Sequence, residues 1–150
     1  MHEHEWFMKE AIAEAKLALE TGDVPVGAVV VKDGHIIARA HNRREADCIA
    51  TAHAELLAME QACRITGSWR LSDCTLYVTL EPCPMCAGTA VNARIGRVVY
   101  GAKDAKAGAM GSLLSINAYP LNHKPPIVTG VLEEECRALL REFFEGKRKK

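Results

Sequence analysis

Two short segments of this 150-residue sequence combine residue types that bind metals and move protons. They read His53-Ala54-Glu55 and Pro82-Cys83-Pro84-Met85-Cys86. Two thiolates and one imidazole leave a tetrahedral zinc one ligand short. Catalytic zinc sites have this arrangement, whereas structural sites are closed by four protein ligands. The sequence therefore predicts one zinc per chain, held by His53, Cys83 and Cys86.

The local sequence also predicts how these side chains are presented. If Cys83 is a helix N-cap, Pro84 takes the first helical position, where its missing N–H costs nothing. Cys86 then lies one turn along on the same face, and the helix N-terminus favours thiolates. Glu55 lies two positions after His53, so on a regular helix it points elsewhere. It can face the pocket beside the metal and take a proton from water there.

Each segment alone also has an ordinary interpretation. A lone Cys-x-x-Cys can be a redox pair or half of a structural zinc site, and a lone His-x-Glu is often only a helix start. A second Cys-x-x-Cys is absent from the sequence. Together, the two segments favour a catalytic site over a structural-zinc binding module in which Glu55 is merely a surface acid.

The elements that must position these residues follow from hydrophobic periodicity and turn signals. The pattern predicts a first helix that stops at Gly22, a hairpin around Asp33-Gly34, a helix from about His53 to Thr66 with Thr51 as its N-cap, a strand at Leu76–Leu80, a helix from Cys83, strands at Val98–Tyr100 and Ile127–Val128, and a last helix with Leu132, Cys136, Leu139, Leu140, Phe143 and Phe144 on one face. A long loop from Lys103 to Pro126 carries a predicted helical turn near Leu113-Leu114. This order implies an α/β fold with a mixed sheet covered by helices on both faces.

Composition places the chain among globular proteins. With 49% hydrophobic and 25% charged residues it suits a single domain, residues 1–150. No apolar run is long enough to span a bilayer, and the N-terminus carries acids where a signal peptide carries bases. We therefore expect a cytoplasmic protein with reduced cysteines. The net charge is zero, and the basic cluster Lys147–Lys150 is either a solvated tail or a phosphate contact.

His-x-Glu followed by Pro-Cys-x-x-Cys is the signature of the zinc-dependent nucleobase deaminases. Other segments are similar to the bacterial tRNA-specific adenosine deaminase family: Gly22–Ala28, His41-Asn42-Arg43, Thr51–Glu55, Glu81–Gly88, Arg94-Ile95, Gly101–Lys106, Gly108, Gly111-Ser112-Leu113 and Asn122-His123. The resemblance runs from the first helix to the last.

The resemblance implies a cytidine-deaminase-like three-layer α/β/α sandwich, a homodimer, and zinc-dependent conversion of adenosine to inosine at the wobble position of a tRNA anticodon stem-loop. It also implies that Asn42 and Ala54 contact the flipped base, and that Asp104, Asn122 and His123 meet neighbouring nucleotides. Asn42 as a turn residue and His123 as an exposed loop imidazole remain alternatives.

A deaminase of a free base, nucleoside or nucleotide, of the guanine or deoxycytidylate type, would use the same metal ligands. The segment from Lys103 to His123 and the basic tail favour RNA as the substrate.

Overall fold

The computed structural model describes residues 2–148, which form a five-stranded sheet in the order β2-β1-β3-β4-β5. The strands are β1 (Gly27–Lys32), β2 (His35–His41), β3 (Cys74–Leu80), β4 (Arg97–Ala102) and β5 (Ile127–Val128). β1 runs antiparallel to both of its neighbours, β2 and β3, whereas β4 runs parallel to both of its neighbours, β3 and β5. The mixed sheet and the predicted last strand are thus confirmed.

The helices cover both faces of this sheet. They are α1 (His2–Leu17), α2 (Arg44–Asp47), α3 (Ala54–Thr66), α4 (Pro84–Asn92) and α5 (Glu133–Arg148), with 3-10 turns at Ala18–Thr21 and Ile116–Ala118. One core joins α1 and α5 to the sheet through residues such as Met8, Tyr77 and Cys136. The other joins α3 and α4 to the opposite face through residues such as Met59 and Leu76. The predicted three-layer α/β/α architecture is confirmed.

Turn chemistry explains the sharpest features of the fold. Asp33 and Gly34 both have positive φ, at 52° and 75°, as a two-residue hairpin turn between β1 and β2 requires. Gly27 begins β1 directly beneath α1, where a Cβ would lie 2.0 Å from the Ala11 carbonyl oxygen. A side chain at Gly27 would therefore push the first helix off the sheet.

Two local predictions were wrong, and one short helix was not predicted. The short helix α2 was not predicted, because the N–H groups of its second and third residues, Glu45 and Ala46, donate to the distant Asp23. His53, rather than Thr51, is the N-cap of α3. The helical turn of the long loop lies at Ile116–Ala118 instead of Leu113-Leu114, whose N–H groups both bond to the Gly108 carbonyl. Phe144, which was predicted on the same face of α5 as Cys136 and Leu140, is 44% exposed.

The carboxyl ends of the parallel strands β3 and β4 lie side by side at one edge of the sheet. The chain leaves β3 through Glu81-Pro82 into α4, and leaves β4 into the loop that begins at Lys103. Loops that follow parallel strands are where α/β proteins commonly bind ligands. No helix among residues 2–148 is long and apolar enough to cross a membrane.

Candidate active site

His53, Cys83 and Cys86 form a compact cluster at the starts of α3 and α4. Their ligand atoms lie within 4.8 Å of one another. The His53 Nδ1 atom lies 3.6 Å from the Cys83 sulfur and 3.5 Å from the Cys86 sulfur. The cluster can hold a metal ion, and no fourth His, Cys, Asp or Glu side chain of residues 2–148 joins it.

These distances fit zinc. A tetrahedral zinc with Zn–S bonds of about 2.3 Å and Zn–N bonds of about 2.0–2.1 Å separates nitrogen from sulfur by about 3.6 Å. Both observed separations agree with that value. The three donors are also borderline-soft and soft ligands of the kind zinc prefers.

Helix capping explains why the side chains point into the cluster. His53 and Cys83 are the N-caps of α3 and α4, both with extended backbone (ψ 148° and 174°), and neither side chain makes a capping hydrogen bond. Pro84 occupies the first turn of α4 as predicted. The imidazole and the thiol therefore extend from the helix ends, where the partial positive charge of the dipole stabilises a thiolate.

The electrostatics of the cluster favour binding of a cation. Its hydrogen bond with Cys86 lowers the pKa of the Cys83 thiol, and contact with His53 lowers it further against the opposing effect of burial. The adjacent Cys83 and burial together raise the pKa of Cys86. Because a first thiolate hinders ionisation of the second, a cation between the sulfurs would relieve their repulsion.

Glu55 is a buried carboxylate in the first turn of α3, only 4% exposed. Burial raises the pKa of Glu55 to about 7, although a hydrogen bond from its own backbone N–H and the charge of His53 act in the opposite direction. A carboxyl group with a pKa near neutrality can both accept and return protons at physiological pH.

Glu55 faces a cavity of about 200 Å³, which we call the inner cavity. It is lined by Val24, Val26, Asn42, Arg44, His53, Ala54, Glu55, Leu80, Glu81, Cys83, Asp104 and Ala107. The structure thus brings three of the predicted substrate-binding residues, Asn42, Ala54 and Asp104, together with Glu55 and two of the predicted metal ligands. The volume of the inner cavity is below the ~300–1,000 Å³ of clefts that bury drug-sized ligands, so the cavity suits a small group.

Asn42 and Ala54 differ in the groups that they have available for hydrogen bonding. Asn42 is 7% exposed, donates to the Val24 carbonyl oxygen (3.2 Å) and accepts from the Arg44 N–H (3.1 Å). The amide thus also has the turn-stabilising contact of the alternative interpretation, while keeping one N–H and one lone pair. Ala54 is the first residue of α3, whose leading N–H groups have no partner inside the helix.

Asn122 and His123 do not line the inner cavity. Asn122 is exposed, and His123 is half-buried with its Nε2 atom 2.7 Å from the Ile95 carbonyl oxygen. If Nε2 carries the proton and donates to that carbonyl, His123 fastens the long loop to the turn before β4. A role in RNA contact remains a prediction for both residues.

A larger outer groove of about 870 Å³ adjoins the inner cavity. The two share Val24, Leu80, Asp104 and Ala107, and the outer groove is further lined by Lys103, Ala105, Lys106, Leu140, Phe144 and Lys147. The cluster Lys147–Lys150 extends beyond the described residues, since Lys149 and Lys150 lie outside them. The groove combines three lysines with one exposed aromatic ring.

Sequence reasoning assigned no role to Arg44 and Glu81, which also line the inner cavity. Arg44 is exposed at the start of α2, a helix that was not predicted. Glu81 carried a signal: an acid between the apolar strand β3 and Pro82 is out of place unless it is bonded.

Comparison with known proteins identifies the family. Residues 1–146 match the MafB19-like deaminase family, so the class of protein is a deaminase. The tRNA-specific adenosine deaminase of Bacillus subtilis is 54% identical over 151 residues, covering all of this chain and 94% of that protein. The chain therefore belongs to the tRNA-specific adenosine deaminase family, as its sequence motifs predicted.

Solved structures agree on the fold and extend over two substrate classes. A structure from work on A-to-I editing by tRNA:A34 deaminases at the wobble position of transfer RNA has a TM-score of 0.87 and 44% identity, covering 89% of this chain and 98% of that one. The guanine deaminase of Bacillus subtilis has a TM-score of 0.65 and 34% identity, covering 98% and 94%. The fold is therefore cytidine-deaminase-like, and the fold alone does not select the substrate.

Proposed function

We propose that this protein is a zinc-dependent hydrolase that converts adenosine to inosine at the wobble position of a tRNA anticodon. Membership of the tRNA-specific adenosine deaminase family supports the reaction and the substrate class. The wobble position is supported by the neighbouring structure from work on tRNA:A34 deaminases. Residues 1–150 act as one deaminase domain in this proposal.

In the proposed site, His53, Cys83 and Cys86 hold one zinc per chain. When bound, zinc supplies Lewis-acid activation of water, whose pKa it lowers towards about 7. Glu55 is the proton carrier: its carboxylate takes a proton from the attacking water, gives it to the adenine ring nitrogen N1, and passes the second proton to the exocyclic amine. Water adds at C6 and ammonia leaves, so the products are inosine and ammonia.

The walls of the inner cavity would orient the base. Asn42 still has a free donor and a free acceptor for the base or its ribose, and Ala54 lines the cavity at the start of α3, where its N–H has no partner inside the helix. Burial of these groups matters, because a hydrogen bond in a dry site discriminates between bases more strongly than one exposed to water.

The observation that carries RNA as the substrate is the outer groove beside the inner cavity. A free base would fill the inner cavity and leave the groove empty. A stem-loop would place flanking nucleotides there, with phosphates near Lys103, Lys106 and Lys147 and a base against Phe144. Arg44 adds a further exposed cation at the inner cavity.

Asp104 lies on the wall shared by the inner cavity and the outer groove, so we assign it to the nucleotide beside the target. The exposed Asn122 would contact RNA directly. His123, already bonded to the Ile95 carbonyl, would act by holding that loop in place. Lys147 contributes a cation to the lining of the outer groove. We further propose that the enzyme is a cytoplasmic homodimer, testable by sedimentation and fractionation.

The experiment that tests this function compares kcat/KM for an anticodon stem-loop with values for free adenosine, cytidine and guanine. We expect efficient deamination of adenosine in the stem-loop and little turnover of free adenosine. Preference for free guanine would move the protein to the guanine deaminases, whose fold it shares. A zinc-loaded protein whose Glu55→Ala variant loses turnover but keeps its metal would separate catalysis from a purely structural zinc site.

A further inference from the structure

Glu81 is a buried carboxylate to which the proposed chemistry gives no role. It is 2% exposed and lies between the end of β3 and Pro82, two residues before Cys83. A buried carboxylate is strongly destabilising unless it is paired or hydrogen-bonded. Its partners therefore show what it is for.

All four contacts of the Glu81 carboxylate come from one loop segment, residues 104–112. Oε1 accepts from the Asp104 N–H (3.1 Å) and the Ser112 hydroxyl (2.5 Å). Oε2 accepts from the Met110 N–H (2.9 Å) and the Ser112 N–H (3.0 Å). The two oxygens thus accept four hydrogen bonds, which is about the full capacity of a carboxylate.

The loop closes tightly over this carboxylate. A Cβ at Gly108 would lie 2.3 Å from the Glu81 Cδ atom, so only glycine lets the backbone approach so closely. The Ala109 N–H donates to the Pro82 carbonyl oxygen (2.8 Å). The segment is therefore docked on the peptide that leads directly to Cys83.

The other side of the same segment faces the proposed substrate. Asp104 and Ala107 line both the inner cavity and the outer groove. The Asp104 side chain is held in turn, since its Oδ1 atom accepts from the N–H groups of Lys106 and Ala107 (both 3.1 Å). The bonds to Glu81 thus set the position of the wall between the two spaces.

We propose that Glu81 is a positioning residue. It holds residues 104–112 in place as the substrate-facing wall of the inner cavity, beside the cluster of His53, Cys83 and Cys86. A carboxylate is required because all four partners are donors. The glutamine of Glu81→Gln would replace one oxygen by an NH₂ group, which would face two donors instead of accepting from them. The effect on RNA binding rests on the proposed function, whereas the anchoring of the loop does not.

Backbone hydrogen exchange of the zinc-loaded protein tests the anchoring. In Glu81→Gln, we expect the N–H groups of Asp104, Met110 and Ser112 to exchange about tenfold faster or more, because each loses a bond to a charged acceptor. Exchange in α3 should be unchanged. Glu5→Gln, an exposed acid on the opposite face of the sheet, is the matched control. Unchanged exchange at the three loop positions would overturn the proposal.

Kinetics test the consequence for the substrate. Glu81→Gln should keep one zinc per chain and raise KM for the stem-loop about tenfold or more, while the single-turnover rate at saturating RNA falls much less. Asp104→Ala should raise KM by a smaller factor in the Glu81→Gln background than in the wild type, since the wall is already displaced. Loss of zinc, an unchanged KM, or fully independent effects of the two substitutions would each contradict the positioning role.

Ser112→Ala provides a milder variant if Glu81→Gln does not fold. It removes only the hydroxyl contact, and we expect a smaller change in the same direction in both assays. A wild-type protein without activity on the stem-loop would contradict the proposed function. Hydrogen exchange would still decide whether Glu81 anchors the loop, so the two failures can be told apart.

Discussion

Replacing Glu55 by glutamine should lower the rate of deamination and raise the stability of the metal-free protein. Glu55→Gln keeps the shape of the side chain and removes its ability to carry a proton. Loss of a positioned acid/base lowers turnover by about 10²–10⁴-fold. We therefore expect deamination of the stem-loop to fall at least a hundredfold, while one zinc per chain remains bound.

The same substitution should stabilise the metal-free protein. Burial raises the pKa of Glu55 from 4.5 to about 7, and at about 1.36 kcal/mol for each pH unit this corresponds to about 3 kcal/mol against the ionised form. Because the pKa of Glu55 is raised in the folded protein, its contribution to the free energy of unfolding is present in full below pH 4.5. This contribution is lost as the pH rises from 4.5 through 7. Glutamine carries no such penalty, so its advantage should be near zero at pH 4 and reach about 3 kcal/mol at pH 8.

Urea unfolding of chelator-treated wild type and Glu55→Gln between pH 4 and pH 8 measures this difference, with Glu5→Gln as the control on an exposed site. Single-turnover deamination by the zinc-loaded proteins measures the catalytic part. Normal turnover in Glu55→Gln would refute its role as proton carrier. A stability difference that does not depend on pH would refute the assignment of its pKa to burial.

The remaining predictions address the metal, the fold and the groove. Cys83→Ser should lose zinc and activity together and unfold at a lower temperature, because metal binding is coupled to folding; a variant with full zinc content would contradict the ligand assignment. Asp23→Asn should destabilise the protein by about 1.5–3 kcal/mol at pH 7: burial opposes ionisation of Asp23, but hydrogen bonds from Thr21, Glu45 and Ala46 outweigh it and lower its pKa below 3.8. That contribution should decrease once the pH falls below the ordinary pKa of 3.8 and be lost as the pH falls through the lowered pKa of Asp23, so urea unfolding should show a smaller difference at pH 3 than at pH 7. Lys106→Ala should reduce the slope of log kcat/KM for RNA against log salt by about 0.7–0.9, whereas Lys9→Ala, on the far face of the sheet, should leave the slope unchanged.

The parts of the fold that local chemistry determines could be predicted from the sequence. Asp33-Gly34 allows one kind of hairpin turn, and Cys83-Pro84 can begin a helix without an unsatisfied N–H. The predicted metal ligands meet in one cluster, because two helix starts are brought to the same edge of the sheet. Periodicity was enough to place all five strands and the long helices approximately.

Features that depend on contacts distant in sequence could not be predicted. Helix α2 begins where Asp23 accepts hydrogen bonds from its N–H groups, although more than twenty residues separate Asp23 from these donors in the sequence. The wall of the inner cavity depends on Glu81, which binds a loop that follows the next strand. The contact between the His123 ring and the Ile95 carbonyl oxygen was likewise not predicted, and RNA contact by His123 stays a prediction. In each case a polar side chain satisfies a backbone group that no local pattern identifies.

The predictable and the unpredictable features belong to different parts of the molecule. The cluster of His53, Cys83 and Cys86 lies, like Glu55, at the starts of helices that pack against the sheet. The guanine deaminase of Bacillus subtilis shares this fold. The outer groove, by contrast, is built from the loop after β4 and from α5. In the proposed function the reacting group of either substrate would enter the same inner cavity, so these outer elements would select between a free base and RNA. The lysines and Phe144 have no partner in a free base, so their energetic contribution would appear only when flanking nucleotides are present.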